Sequence, residues 1–238
     1  MLRREKKDTL DLPDKIRSHV YLELDDEWKK AYETAWDNYV LFLEANPPEN
    51  MDTIMQAKHL IEIQKLKQVC SRAKIARVVD DIKNIVEEDG QKVVIFTQYK
   101  ETLSKLRSEF SRKRAYRVVT LSGEDNQNER QEAVDSFQND PKTKIFIGNI
   151  KAAGVGITLT AASKVMFIDL DWTPAMHAQA EDRCHRIGQG NMVNVYYYIA
   201  KDTLEEDIVE LLDIKEKIIA HIIEGEKIEG HKDKNMMA

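Results

Sequence analysis

The spacing of apolar positions changes part-way along the chain. From Asp25, "DDEWKKAYETAWDNYVLFLEAN" sets Trp28, Ala31, Tyr32, Ala35, Tyr39, Phe42 and Leu43 at helical spacing. Asp25 or Asp26 supplies the N-cap, and "NPPEN" at 46–50 stops the helix. A second helix is predicted from about Met51 to Val69, on Ile54, Ala57, Leu60, Ile61 and Leu66, and a third from about Ala73 to Glu88, closed by "EEDG". Short apolar runs rich in β-branched residues then alternate with helical stretches. "KVVIF" (92–96), "YRVVTLSG" (116–123), "TKIFIGN" (143–149), "KVMFIDL" (164–170) and "VNVYYYIA" (193–200) read as strands. Residues 101–114, 125–138 and about 174–185 read as helices. This alternation predicts an α/β fold of βαβ units around a parallel sheet. From Thr203 to about Glu224, Leu204, Ile208, Leu211, Leu212, Ile218, Ile219 and Ile222 predict one amphipathic helix covering that sheet. Residues 1 to about 20 are charged, with "LPDK" (12–15) interrupting any helix, and the final "GHKDKNMMA" predicts a tail without fixed structure.

Composition narrows the class without naming a function. The 238 residues are 33% charged and 42% hydrophobic, which implies a soluble chain able to bury a core. No apolar run approaches the roughly 20 residues that span a bilayer, so no membrane partner is expected. The basic start "MLRREKKDTL" is not followed by an apolar stretch and does not read as a secretory signal. Two cysteines, Cys70 and Cys184, lie far apart and imply reduced thiols in an intracellular protein. The expected compartment is the cytoplasm in a prokaryote or virus and the nucleus in a eukaryote. A net charge of −6 argues against a simple basic coat on nucleic acid, while leaving room for a local basic groove.

The chemistry is marked first by what is missing. None of the nine glycines precedes a lysine, so there is no Gly-Lys-Ser/Thr loop to grip a nucleotide. "AAGVGIT" (152–158) has two glycines but no such lysine, and Asp169 in "VMFIDLD" reads as a strand-end carboxylate capping a loop rather than a metal ligand. Cys184 and His185 are adjacent and point apart on a helix, so no zinc site is expected. In "QAEDRCHRIGQ" (179–189), by contrast, Arg183 and Arg186 stand at i, i+3, with Gln179 four residues before Arg183. On a helix ended by Gly188 the three side chains share one face. Two planar guanidinium forks match phosphate oxygens, although such a pair alone also fits a solvated helix face.

The full spelling Q-x-x-x-R-x-x-R-x-G-Q closely resembles motif VI of the SWI/SNF-type ATPases of superfamily two. Other segments resemble the family in order: "LRREKKDTLDLPDK" the segment entering the second motor lobe, "KVVIFTQY" motif IV, and "LSGEDNQNER", with Gly123 and Arg130, the stretch after it. "NIKAAGVGITLTAASKVMFIDLDWTP" resembles motif V and its extension, and "YYYIAKDTLEED" with the following helix resembles the brace that packs back on the motor. The resemblance covers nearly the whole chain and implies a C-terminal RecA-like lobe. Residues 1–24 would form an inter-lobe linker, 25–90 a helical protrusion with the first lobe helix, 91–200 the RecA-like lobe, and 201–238 the brace helix and tail.

In that family two lobes share one ATP, and the first carries the nucleotide loop and the acid that holds Mg²⁺. The resemblance therefore implies that Arg183 and Arg186 act as arginine fingers on an ATP bound by an N-terminal lobe this chain lacks. Gln179, Gly154 and Gly156 would adjoin the nucleotide. Thr97, Gln98, Gly123, Lys151, Thr158 and Thr160 would touch the backbone of double-stranded DNA. Trp172 would couple motif V to motif VI, or else serve as a packing anchor beside Pro174; Thr158 and Thr160 would otherwise cap a short helix. Motif V departs from the common Ser-Thr-Arg/Lys-Ala-Gly-Gly, since Ile150 replaces a hydrogen-bonding threonine. That change, the Ala152-Ala153 pair and the "QAEDR" spelling resemble the branch containing annealing helicases and fork remodellers. Two other readings stay open: a helicase lobe of another superfamily-two branch, which the helical insertion and "HRIGQ" disfavour, and a non-enzymatic RecA-like module that binds a protein.

Overall fold

Val93, Val94, Ile95 and Phe96 are all fully buried, so the strand they form must be covered on both faces. In the computed structural model this is strand β2, at the middle of a six-stranded sheet. The structure describes residues 12–47, 52–113, 115–153 and 156–224. In chain order its elements are β1 Lys15–Leu22, α1 Asp26–Ala45, α2 Thr53–Ala73, α3 Ile75–Lys83, a π-helical turn Asn84–Glu88, β2 Val93–Thr97, α4 Lys100–Ser111 and β3 Arg117–Leu121. Then follow α5 Gln127–Asn139, β4 Thr143–Asn149, α6 Ile150–Ala153, β5 Lys164–Phe167, α7 Pro174–Glu181, β6 Val193–Ala200 and α8 Leu204–Glu224. Every pairing is parallel, in the order β1-β6-β5-β2-β4-β3.

Alternation along the strands sorts the side chains onto two faces. Val93, Ile95, Ile145, Ile147 and Met166 pack with Val78 and Ile82 of α3 and Leu103, Leu106 and Phe110 of α4. Val94, Phe96, Phe146, Val165 and Phe167 pack on the other face with Phe137 of α5, Ala180 of α7, and Ile208, Val209 and Leu212 of α8. This is the RecA-like sheet with helices on both faces. The expected cap of α1 is Asp25, which accepts the Trp28 N–H at 3.0 Å. Helices α1 and α2 pair with each other and join the lobe through a small cluster of Tyr32, Leu66, Cys70 and Ala200. Helix α8 follows as expected, but only its first half is buried: Ile214, Ile218, Ile219 and Ile222 remain 44–73% exposed. The tail "GHKDKNMMA" lies outside the described residues.

Strand β1 was not foreseen. Within the segment expected as a linker, Lys15–Leu22 pairs with all of Val193–Ala200 and closes one edge of the sheet. The apolar run 164–170 is also longer than its strand, which ends at Phe167. Beyond Phe167 the Ile168 N–H still donates to the Phe96 carbonyl of β2 at 3.0 Å, and Ile168 and Leu170 stay buried while Asp169 and the Leu170 carbonyl turn to other partners.

A buried ion pair joins the end of the sheet to the protrusion. Lys74 Nζ lies 2.6 Å from both Glu205 carboxylate oxygens and donates to the Tyr198 carbonyl at 3.0 Å. Glu205 also accepts the Ala200 N–H at 2.8 Å. Removing one partner leaves a buried charge alone, a loss of about 3–5 kcal/mol. Glu205→Ala should therefore lower the chemical-denaturation midpoint markedly, whereas Ile222→Ser, at a position 73% exposed, should leave it within error.

Candidate functional site: the motif V–motif VI surface

The chain carrying the two arginines is a turn, not a helix. Helix α7 ends at Glu181, so the expectation that Arg183 and Arg186 share a helical face and that Gly188 ends that helix is corrected. Two causes are visible. The Arg183 carbonyl, which a continued helix would give to residue 187, accepts the Leu159 N–H at 2.8 Å. Glu181 is drawn wholly inside and anchors the helix end. The turn tightens through i, i+3 bonds, Arg183 N–H to Ala180 and Cys184 N–H to Glu181. Gly188 adopts φ +98°, the left-handed region where the chain reverses after the arginines.

Gln189 fastens this turn to motif V. Its Nε2 lies within 3.2 Å of the Thr160, Ala162 and Cys184 carbonyls, and its Oε1 accepts the Asn191 N–H at 3.0 Å. Arg186 Nη1 stands 3.5 Å from Thr158 Oγ1, and Thr160 Oγ1 accepts from Gln138 Nε2 at 3.1 Å. Neither threonine caps a helix. The His185 ring meets the Pro13 carbonyl at 2.7 Å.

Gln179, Arg183 and Arg186 line one open groove of about 330 Å³, with Leu12, Asp182, His185 and Ile187. Arg186 is exposed and Arg183 half-buried. Burial, and then the like charge of Arg186, push the Arg183 guanidinium below its ordinary pKa, against the pull of Asp182. Two cations held this close favour an anion between them. Gly156 sits exposed at φ +70°, where a side chain would be strained. Gly154 lies outside the described residues.

The candidate DNA contacts separate into two groups. Gly123, after β3, and Lys151, on α6, are exposed beyond the carboxyl ends of their strands. Thr97 is not available in that way. It is 1% exposed, and its hydroxyl donates to Asp169 at 2.5 Å, so it holds a loop rather than facing a phosphodiester. Gln98 is half-buried: its N–H donates to Asp169, and its side-chain amide donates to the Leu170 carbonyl and Asp171. Asp169 thus caps the end of β2, as a strand-end carboxylate would. Ile150 is 1% exposed and packs within the core.

Trp172 touches the helices outside motif VI. Lys67 of α2 lies 4.8 Å from its ring, and Lys215 of α8 donates to its carbonyl at 2.8 Å. The ring packs against the core, so the anchoring role has direct contacts. Sequence reasoning missed Lys15, Arg17, Glu181 and Gln189. Arg130, noted in the stretch after motif IV but given no role there, donates through its guanidinium to the Ala152 carbonyl and ties α5 to motif V.

Residues 73–188 match the family model described as the helicase conserved C-terminal domain. The human "DNA annealing helicase and endonuclease ZRANB3" is 33% identical over 240 residues, covering 98% of this chain and 22% of its own length. The Sulfolobus solfataricus SWI2/SNF2 ATPase core in complex with dsDNA superposes with a TM-score of 0.73 at 31% identity, covering 94% of this chain and 50% of that one. The C-terminal domain of the same ATPase gives 0.69 at 28% identity, covering 88% and 90%. The class defined by the sheet and the matched residues is a helicase C-terminal, RecA-like lobe. This chain is such a lobe of the SWI2/SNF2 type. It spans only 22% of the length of the annealing helicases it matches. Among the described residues, no helix is long and apolar enough to cross a membrane.

The site rests on a buried neutral histidine. His177 Nε2 accepts the Asp171 N–H at 2.8 Å, between the Phe167 and Tyr197 rings. Burial pushes its pKa from 6.5 down to about 4, although Asp171 and Glu181 pull upward. The folded state therefore resists the proton that the unfolded chain takes up. This group's contribution is complete above its unfolded value and declines as pH falls toward its folded one, with a limiting slope of about 1.4 kcal/mol per pH unit. Urea midpoints of the wild type should fall between about pH 6.5 and pH 4, and His177→Asn should flatten that part of the profile.

Proposed function

We propose that this lobe completes an ATP site whose nucleotide is bound by another, N-terminal RecA-like lobe, and that the pair moves along double-stranded DNA. The observation that supports this most directly is the groove where Arg183, Arg186 and Gln179 converge, in a chain with no Gly-Lys-Ser/Thr loop of its own. Two unequal arginines facing outward from a tied-down turn suit an anion brought from outside. Arg186 and Arg183 would meet the γ-phosphoryl group and stabilise its charge during transfer, and Gln179 would orient that pair. Mg²⁺ would travel with the nucleotide on the other lobe; among the described residues no group of three His, Cys, Asp or Glu is gathered to hold a metal. Gly154 and Gly156 would let the motif V backbone approach nucleotide or DNA phosphate.

Gly123 and Lys151 present a backbone N–H and an ammonium at the strand ends, and with Thr158 and Thr160 would position a phosphodiester without reading bases. Gln98 and Thr97 would support that surface from beneath. The likeness to a DNA annealing helicase and to a SWI2/SNF2 core bound to dsDNA supports DNA as the track. An intracellular site, cytoplasmic or nuclear according to the host, follows from that role.

Three outcomes test this. The isolated chain should show no DNA-stimulated ATP hydrolysis. Its DNA affinity should be weak and should fall steeply with salt, because phosphate contacts release counterions. In the two-lobed protein, Arg186→Ala should lower kcat by about 10³-fold or more while ATP affinity changes little, and Arg186→Lys should rescue poorly. A near-normal kcat for Arg186→Ala in steady-state assays with saturating DNA would reject the role.

A further inference from the structure

We infer that the entering segment at residues 13–17 sets the position of the arginine pair, through the buried carboxylate of Glu181. This rests on the finger assignment above and adds a control element to it. Glu181 is 0% exposed and closes α7, two residues before Arg183. Its Oε1 accepts from Arg17 Nε at 2.7 Å and from Tyr197 Oη at 2.6 Å. Its Oε2 accepts from Lys15 Nζ at 2.7 Å and from Arg17 Nη2 at 2.9 Å.

One residue thus joins β1 and β6 to the start of the arginine turn. Arg17 extends the link to α8 by pairing with Glu216 at 3.0 Å. A second tie runs beside the first, from the His185 ring, between the two arginines, to the Pro13 carbonyl at 2.7 Å. Each arginine is therefore within a few bonds of a group fixed to residues 13–17. A side chain that must meet a transferring phosphoryl group is sensitive to displacements near 1 Å, which cost on the order of 10²-fold in rate. A shift of β1 along β6 would carry Glu181 and the turn with it. Lys15, Arg17 and Glu181 are positioning residues on this view; none of them touches the nucleotide.

The test uses the two-lobed protein with saturating double-stranded DNA, each rate divided by the nucleotide bound at saturation so that misfolded protein does not count. Arg17→Ala should lower kcat about tenfold or more and leave KM for ATP within about twofold, as expected for a displaced catalytic group. Arg17→Lys, which keeps the charge without the fork, should fall between. Glu181→Gln should resemble Arg17→Ala; if it does not fold, Tyr197→Phe removes a single bond to the same carboxylate and should give a smaller loss in the same parameter. The decisive comparison is the double variant. In an Arg186→Ala background, Arg17→Ala should cost little more, because there is no finger left to position. Full additivity, or a wild-type kcat for both Arg17→Ala and Glu181→Gln, would overturn the inference. A wild-type kcat for Arg186→Ala alone would instead overturn the finger assignment on which it rests.

Discussion

An ionised carboxylate with no exposed surface cannot stay in a core unless cations come to it, and Glu181 is held by that constraint. Burial pushes its pKa upward, yet the Arg17 hydrogen bonds and the charges of Lys15 and Arg17 outweigh it and hold the group below the usual carboxylate range. The consequences spread outward. Strand β1 has little apolar burial to fix it at the sheet edge; Ile16 and Tyr21 are 46% and 44% exposed. Its two cations supply what its apolar side chains do not. Helix α7 ends where Glu181 turns inward, and the arginines emerge from the turn that results.

Other buried polar ties hold the opposite end of the strands. Lys67 of α2 donates to the Leu170 carbonyl at 2.7 Å, Asp169 caps Thr97 and Gln98, and Lys74 meets Glu205. Asn149, at the end of β4, donates to the Gln98 carbonyl at 2.9 Å. Such contacts need not add net stability over apolar packing; they select one arrangement. What they select here is a fixed set of loops between the protrusion, the sheet and α8, with Trp172 gripped from two sides. The surface left over, at Gly123, Lys151 and the arginine turn, is the one proposed above to meet DNA and nucleotide.

Much of this was legible in the sequence, for a physical reason. Central strands of a parallel sheet are apolar on both faces, so β2, β4 and β6 announced themselves as continuous runs. The amphipathic helices did so by period. Strand β1 did not, because an edge strand held by backbone bonds and by the ion pairs of Lys15 and Arg17 keeps a polar spelling. The arginine turn was mistaken for a helix because an i, i+3 spacing serves successive tight turns equally well. The strand-like run to Leu170 overshot because burial continues after pairing stops. Thr97 looked like a surface contact, since nothing in a threonine tells whether its hydroxyl faces a phosphate or an internal carboxylate. The arginine pair was singled out through spelling; the grip of Glu181 was not, because Lys15 and Arg17 lie more than 160 residues away in sequence.

The central claim is that the arginine pair favours the transferring phosphoryl group over the ground state. It is tested most directly by comparing, in the two-lobed protein with DNA, the affinity for ADP with that for ADP plus aluminium fluoride, a planar mimic of the moving group. Arg186→Ala should bind ADP about as well as the wild type and lose affinity for the fluoroaluminate complex by orders of magnitude. Equal affinity of mutant and wild type for that complex would contradict the account and return the pair to a charged surface in water.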